Sequence, residues 1–240
     1  NLDNQQVNEF QDAELIKKID NNTVINNLYI AHDNQIWIAT NKGVIRTNSN
    51  DLPNKKPDFE LFENDPKKPE SISSNFVKCL LSDPINPQKY IWIGTNGNGI
   101  SRLNIKTKEC IHNNTKNSKL PNNVAYQIQA DNNNMLWIST NAGLSRFDIE
   151  KEEFQNFSTR DGLQSMEFNT NSSLKLSSGK LIFGGINGIN IFDSDSLNYH
   201  TTEVKIIQLK VNNKVVATIN ENENENDFRL ENAIEHTESI

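Results

Sequence analysis

A tryptophan-centred phrase recurs along the chain and strongly limits the folds that the chain can adopt. It occurs at residues 36–44, 91–100 and 136–144 and, in a weaker form, at 181–189. The equivalent positions 37, 92, 137 and 182 lie 55, 45 and 45 residues apart. Copies at such a spacing indicate a repeat architecture, in which each copy forms one structural unit that stacks on its neighbours.

Each repeat is predicted to form four short antiparallel strands. In the third repeat, the segments 124–131, 136–140, 144–148 and 153–157 alternate with polar turns. The second of these segments is rich in the β-branched and aromatic residues that favour strands. Four antiparallel strands in roughly 40 to 50 residues are typical of one blade of a β-propeller. We therefore predict an all-β fold with four four-stranded antiparallel blades.

The chain is predicted to have two parts. Residues 1–200 contain the propeller blades, and residues 201–240 begin a different β module. In this second part, strands are expected at 203–211 and 214–219. Two asparagines between these strands suit a tight hairpin turn.

Two further segments bear on the blade count. The segment 9–11 matches the outer-strand segment 153–155, so it either completes the fourth blade and closes a small ring or belongs to a longer propeller. We favour the longer propeller. The segment 51–70 accounts for the longer first interval and contains four prolines. It is therefore predicted to be a loop.

The three tryptophans are predicted to be buried between blades rather than to serve as platforms for sugar stacking. Trp37, Trp92 and Trp137 occupy the same repeat position. A single blade cannot bury both of its faces, so a large aromatic side chain at a repeated position is expected to pack against the next blade.

Arginines and cysteines also have predicted structural roles. Arg46, Arg102 and Arg146 repeat at one blade position, which favours a structural bond to a neighbouring blade over a ligand contact. Cys79 lies in a predicted inner strand and Cys110 in a predicted outer strand. Three strand spacings of about 4.8 Å separate such positions, which is too far for a disulfide. Both thiols are expected to be free and buried.

The repeats resemble the two-component regulator propeller repeat. Residues 91–104 and 136–148, with the lead-in at 120–124, carry the resemblance most clearly. Residues 161–193 resemble the closing blade of this family. The tail that starts at residue 203 resembles the first strands of the β-sandwich, the Y_Y_Y module, that follows these propellers.

The resemblance implies the periplasmic sensor region of a hybrid two-component system. Proteins of this class carry two seven-bladed propellers, the sandwich, one membrane helix, and cytoplasmic kinase and regulator domains. The chain would correspond to the C-terminal part of a seven-bladed propeller and the start of the sandwich. Oligosaccharide sensing, dimerisation through the parent protein and membrane attachment only through that parent are then expected.

Several other functions are disfavoured by composition. The formal net charge is −7, and no long basic run is present, which disfavours nucleic-acid binding. The four histidines share no metal-ligand spacing, and no nucleophile motif occurs. We predict no catalytic residue, metal site or cofactor. The open alternatives are a self-standing propeller that scaffolds protein–protein contacts and a polysaccharide-degrading propeller enzyme.

Candidate ligand-binding residues lie in loops expected to share one face around the central channel. These loops lead into the inner strands or join the second and third strands of each blade. Amides, a carboxylate and an aromatic ring on a concave rim suit recognition of a neutral or acidic sugar. The candidates are Asn75, Asn96, Asn98, Asn122, Asn123, Tyr126, Asn141, Glu167, Asn169 and Asn187. The same loops also contain Ser74 and Phe76.

Overall fold

The computed structural model describes residues 22–31, 34–51 and 58–196, together with the backbone of the strands Gln208–Val211 and Lys214–Thr218. The chain forms two compact units, Asn1–Leu197 and Asn198–Ile240. The segment 9–11, which could complete a blade, lies outside the described residues.

Within the described residues, the first unit contains three four-stranded antiparallel sheets and one three-stranded sheet. The first sheet comprises β1 (Ile25–Ile30), β2 (Gln35–Thr40), β3 (Gly43–Asn48) and β4 (Phe59–Phe62). The second comprises β5 (Val77–Ser82), β6 (Tyr90–Thr95), β7 (Ile100–Asn104) and β8 (Cys110–Asn113). The third comprises β9 (Ala125–Ala130), β10 (Leu136–Thr140), β11 (Gly143–Asp148) and β12 (Glu153–Phe157). The fourth comprises β13 (Phe168–Lys175), β14 (Leu181–Gly185) and β15 (Gly188–Phe192).

Strand order in every sheet follows chain order, so each sheet is a meander and forms one propeller blade. The predicted all-β fold of propeller blades is confirmed. The strands predicted for the third blade agree with β9 to β12 to within one residue at each end. Among the described residues, the fourth blade has three strands and no outer strand.

The prediction that residues 51–70 form only a loop is wrong, because β4 lies within this segment. Val44 pairs with Phe62 and Thr47 with Phe59, which makes β4 the outer strand of the first blade. The prolines lie on either side of the short apolar run rather than inside it. They therefore bracket a strand without removing any of its hydrogen-bond donors.

The three tryptophans are buried at the joints between blades, as predicted. Each is at most 2% exposed. Each of the first two joints is one buried cluster that contains a tryptophan from one blade and apolar side chains from the next. The third joint is built in the same way. The partners in the next blade include Ile91 and Ile93 for Trp37, Leu136 and Ile138 for Trp92, and Leu181 and Phe183 for Trp137.

The outer faces of the first and fourth blades are apolar and exposed. Leu28 and Ile30 in β1 are 65% and 74% exposed, and Ile189 and Ile191 in β15 are 61% and 54% exposed. These faces lie on the sides of the blades that no other described blade covers.

Two glycines show why the turns between second and third strands demand this residue. Gly99 and Gly143 have φ angles of 74° and 93°, in the left-handed region. A Cβ atom at either position would overlap a backbone carbonyl oxygen at the end of the outer strand, Asn113 O or Phe157 O. Close approach of two backbones therefore fixes glycine here.

The repeated arginines make structural contacts, and the ion pairs of Arg46 and Arg102 lie within their own blades and not to a neighbouring blade as predicted. Arg102 forms a 2.7 Å ion pair with the buried Asp83, and Arg46 lies 3.5 Å from Glu60. The guanidinium groups lie over Trp37, Trp92 and Trp137 of the same blades. The prediction was wrong because each arginine is directly opposite the tryptophan of its own sheet, where it stacks on the ring.

Both cysteines are free and buried, as predicted. Cys110 pairs with Leu103, which is the position that Phe154 occupies opposite Phe147 in the next blade. Burial raises the pKa of each thiol to about 12. The thiols therefore remain protonated at neutral pH and are poor nucleophiles.

The described part of the second unit is a β-hairpin. The strands β16 (Gln208–Val211) and β17 (Lys214–Thr218) are antiparallel, and Val211 pairs with Lys214. Two residues therefore join the strands, as the hairpin prediction requires. The assignment of this unit to a β-sandwich stays a prediction.

Candidate ligand-binding site

The first strands of the four blades surround a central channel. Strands β1, β5, β9 and β13 contact one another in chain order, and β13 also contacts β1. They line a cavity of about 500 Å³, and its described lining contains no charged side chain. The polar lining residues are Asn26, Asn27, Tyr29, Gln127, Gln129, Asn171 and Ser173. Amide and hydroxyl groups in such a wall can hydrogen-bond to neutral polar groups of a ligand.

Asn171 joins three blades through its side-chain amide. Its Oδ1 accepts hydrogen bonds from Gln127 Nε2 at 2.9 Å and from Asn27 Nδ2 at 3.3 Å. Its Nδ2 donates to the Asn26 carbonyl oxygen at 2.6 Å. Asn171 has a φ angle of 56°, a conformation that asparagine tolerates better than most residues. The fourth, third and first blades are therefore linked at one side chain in the channel wall.

A cluster of aromatic and polar residues lies where the inner strands begin. Lys78 Nζ donates to Thr170 Oγ1 at 3.2 Å and lies 4.9 Å from the centre of the Tyr126 ring. It also lies 5.5 Å from the centre of the Phe76 ring, which is 40% exposed. The Tyr126 hydroxyl donates to Asn141 Oδ1 at 2.6 Å. We call these five residues the channel mouth.

The electrostatics of the channel mouth are dominated by Lys78. Burial lowers its pKa below the ordinary value of 10.5. Within the described residues, no carboxylate forms an ion pair with its ammonium group. A partly buried cation held by a hydroxyl and two rings is only partly compensated for the loss of water.

Two of the predicted asparagines hold loops together instead of pointing unpaired into the channel. Asn75 Oδ1 accepts from the Asn64 amide at 2.7 Å, and Asn123 Oδ1 accepts from the Thr115 amide at 2.9 Å. The Asn123 carbonyl oxygen also accepts from the amides of Gly97 and Gly99. These residues connect the lead-in to an inner strand with neighbouring turns.

Further predicted residues have similar local roles. Asn122 Oδ1 accepts from the Val124 amide at 2.8 Å, and Asn98 Nδ2 donates to the Ser73 carbonyl at 2.5 Å. The Asn187 amide donates to Gln164 Oε1 at 2.7 Å. The bond of Asn122 is a local turn, whereas those of Asn98 and Asn187 join separate loops.

The remaining predicted residues lie on the same side of the blades. Asn96 is exposed, and its amide donates to the Phe76 carbonyl. Glu167 and Asn169 are exposed beside the start of β13. Of the ten predicted residues, the structure brings Tyr126 and Asn141 into the channel mouth. A ligand contact by any of the ten stays a prediction.

The sequence reasoning missed Lys78 and the amides of the inner strands. The available signal was polarity inside a strand, because Gln127 and Gln129 interrupt an otherwise apolar inner strand. Gln129 Nε2 donates to Ser173 Oγ at 2.9 Å, so these glutamines point into the channel wall. A polar residue at such a position faces a cavity or another polar strand.

A second groove of about 440 Å³ is lined in part by His112, which contacts the buried Ser101. His112 Nε2 lies 3.0 Å from the Pro69 carbonyl oxygen, to which it donates, and Nδ1 lies 2.8 Å from the Ser101 hydroxyl oxygen. Ser101 is fully buried, so its hydroxyl is closed to a substrate. In the third blade, Ser145 donates to Asn156 at the equivalent position. The pair therefore links the third strand of the second blade to its outer strand and has a structural role.

Two further features concern membranes and metals. No helix in the described part of the chain is long and apolar enough to cross a membrane. The described residues also contain no group of three or more histidine, cysteine or acidic side chains placed to hold a metal ion.

Comparisons with known proteins agree with the fold. The family model described as "two component regulator propeller" matches residues 119–142. Histidine kinase P4 of Formosa agariphila is 31% identical over 96 residues, which are 39% of this chain and 7% of the kinase.

Two solved structures from B. thetaiotaomicron show the same architecture. One is the extracellular domain of a hybrid two-component system, with a TM-score of 0.60 and 22% identity over 71% of this chain and 22% of that chain. The other is the extracellular domain of a one-component system, with a TM-score of 0.52 and 20% identity over 70% of this chain and 21% of that chain. The chain therefore spans less than a quarter of these relatives. Residues 119–142 of the chain are similar to a propeller repeat of the two-component regulator type.

Proposed function

We propose that the chain is a ligand-sensing region, outside the cytoplasm, of a hybrid two-component signalling protein. The match to the two-component regulator propeller and the likeness to extracellular sensor domains support a sensing role. In this proposal the parent protein is a histidine kinase located in the inner membrane, and the propeller lies in the periplasm. The chain itself binds ligand and catalyses no reaction.

The observation that carries the proposal is the channel mouth. Phe76 and Tyr126 offer aromatic rings where the inner strands begin, and these strands line a cavity whose wall contains amides. Sugars have apolar faces that stack on aromatic rings and hydroxyl groups that bind amides, so an oligosaccharide fits this combination. Tyr126 directly precedes Gln127 in β9, so one of the rings is next in sequence to the amide-lined wall.

A signalling route follows from the link at Asn171. A ligand that competes for the amides of Gln127 or Asn27 changes the bonds that hold three blades together. Such a change alters the relative positions of the inner strands. We propose that the following sandwich passes this change to the kinase through the dimer of the parent protein.

The apolar outer faces favour a place in a larger, seven-bladed propeller, whereas the contact between β13 and β1 favours a ring of four blades. Ile189 lies at the repeat position of Val44, Ile100 and Leu144, each of which is buried against the following blade. Further blades of the same kind would cover such a face by the same packing. The same exposed faces favour the alternative function, a scaffold that binds other proteins.

Calorimetric titration of the chain with trisaccharides tests the proposal. The panel contains cellotriose, mannotriose and galactotriose as neutral glycans, and trigalacturonate as an acidic glycan. We expect saturable binding of at least one glycan, with affinity reduced at least tenfold by Phe76→Ala and by Tyr126→Ala. The matched control is Ile111→Ala, which removes an exposed apolar side chain from the outer strand of the second blade.

Two results would overturn the proposal. One is the absence of binding to every glycan of the panel by a chain whose folding is verified by circular dichroism. The other is an equal loss of affinity in Ile111→Ala and in the variants of the channel mouth. Binding of another protein through the outer faces, abolished by Ile189→Asp, would instead support the scaffold.

A further inference from the structure

The charge of Lys78 is not neutralised by any described part of the chain. Its ammonium group contacts Thr170 Oγ1 and the faces of two aromatic rings. The other interaction that affects its charge is with the neighbouring thiol of Cys79, whose raised pKa keeps it neutral. A partly buried ammonium group without a carboxylate partner is incompletely compensated and attracts an anion.

Other lysines of the described chain show that this environment is unusual. Lys108 pairs with Glu60, and Lys151 lies 3.5 Å from Asp148. Lys89 stacks on Tyr90 at 4.9 Å, but it is exposed to water on the edge of its blade. Lys78 combines ring stacking with partial burial at the channel mouth.

The surroundings of Lys78 add further hydrogen-bond donors. Thr170 carries a hydroxyl group, and the next residue of β13 is Asn171, whose amide lies in the channel wall. An ammonium group beside a hydroxyl group is a usual partner of a carboxylate or sulfate group. The rings of Phe76 and Tyr126 shield the site from water and strengthen the attraction.

We propose that Lys78 selects ligands that carry an anionic group, a carboxylate or a sulfate, at the channel mouth. The inference rests on the proposed ligand-binding function and deepens it. The ammonium group contacts the anion directly, while the rings and amides bind the rest of the ligand. A sugar acid or a sulfated sugar therefore binds more tightly than its neutral counterpart.

The first test detects the anion site without any oligosaccharide. The full chain is titrated with sodium sulfate at constant ionic strength, and the ¹³Cε resonances of Lys78 and Lys89 are followed by NMR. We expect a saturable shift at Lys78, an increase in its pKa at saturation, and no saturable shift at Lys89. Equal responses of the two lysines, or a linear response at both, would overturn the proposal.

The second test measures selectivity. Trigalacturonate is compared with galactotriose, which has hydroxymethyl groups in place of the carboxylates. We expect the chain to prefer the acid at least tenfold, Lys78→Met to abolish this preference, and Lys78→Arg and Lys89→Met to retain it. A preference that survives in Lys78→Met would overturn the proposal.

The two proposals fail in different ways. Binding of galactotriose with the same affinity in the chain and in Lys78→Met, together with no preference for the acid, rejects anion selection and leaves ligand sensing intact. Absence of glycan binding with saturable sulfate binding at Lys78 rejects the glycan proposal and supports the anion site.

Discussion

One repeat position is buried in the second blade and exposed in the fourth. In the second blade it packs in the joint with the third blade, and in the fourth blade it lies on the uncovered outer face. Ile100 in the joint is fully buried, whereas Ile189, its equivalent in the fourth blade, is 61% exposed. Both are isoleucines that follow the glycine of the same turn. The repeat therefore determines that the position is apolar, and the presence of a neighbouring blade determines whether the side chain is buried.

A second difference concerns the tryptophans. Trp92 and Trp137 donate from Nε1 to Asp83 and Asp131, both of which are buried. Trp37 Nε1 has no acceptor among the described residues, because Ala31 stands at the position equivalent to those aspartates. The first blade thus has the apolar packing of the other blades but lacks the hydrogen bond from the tryptophan to a buried aspartate. We call this hydrogen bond the polar anchor.

The largest expected effect comes from emptying a joint. Trp137→Ala leaves a cavity among Phe168, Leu181 and Phe183 and is expected to lower the free energy of unfolding by about 3–5 kcal/mol. Ile189→Ala on the exposed face is expected to change it by less than about 0.5 kcal/mol. Urea denaturation measures both. Similar losses in the two variants would show that the fourth blade's outer face is also packed.

Removal of a polar anchor should cost less than removal of a tryptophan. Asp131→Ala leaves Trp137 Nε1 and the amides of Asn133 and Met135 without their acceptor. We expect a loss of about 1–3 kcal/mol in the free energy of unfolding. A matched control is Asp148→Ala, which removes a carboxylate that also accepts from two turn amides but lies partly exposed. An equal loss in the control would contradict a special role for the buried aspartate.

The buried thiols predict a pH dependence. Both have a pKa raised from 9.0 to about 12 in the folded chain. Above pH 9 the unfolded chain loses these protons and the folded chain retains them, so folding stability falls as pH rises. The free energy of unfolding is expected to fall by about 1 kcal/mol per pH unit for each thiol. Urea denaturation at several pH values should show a smaller slope in the Cys79→Ser, Cys110→Ser double variant, and an unchanged slope would contradict the burial.

The smallest expected effect is a gain in stability. Ala31→Asp supplies the acceptor that Trp37 lacks, next to the cation of Arg46, which lies over the same ring. We expect an increase of about 0.5–1 kcal/mol in the free energy of unfolding. Ala31→Asn tests the hydrogen bond without the charge. A loss of stability in both variants would show that the first blade cannot form the hydrogen bond from tryptophan that the second and third blades contain.

Much of the fold was predictable because each blade is specified by short sequence patterns that recur in every repeat. The strands of the third blade and the burial of Trp92 follow from alternation and from the repeat position. The wrong prediction for β4 arose because prolines flank a strand of only four residues. The wrong prediction for the arginines arose because the partner of Arg102, Asp83, follows a different strand of the same blade.

The site was less predictable, because residues far apart in sequence form it. Asn171 binds Asn26 from 145 positions away, and Lys78 meets Thr170 from 92 positions away. Neither contact can be predicted from a single sequence, because no local pattern marks the two residues as partners. Asparagines in the loops were visible, but those such as Asn75 and Asn123 satisfy nearby backbone amides, which a turn requires with or without a ligand.

Hydrogen exchange of the full chain, with and without each trisaccharide of the panel, tests most directly whether the channel mouth is the ligand surface. We expect slower exchange on binding at residues 76–78, 126–127 and 170–171, and no change along the outer strands β8 and β12. Protection confined to the groove beside Ser101 and His112, or an identical exchange pattern with every glycan and without one, would contradict a ligand site at the channel mouth.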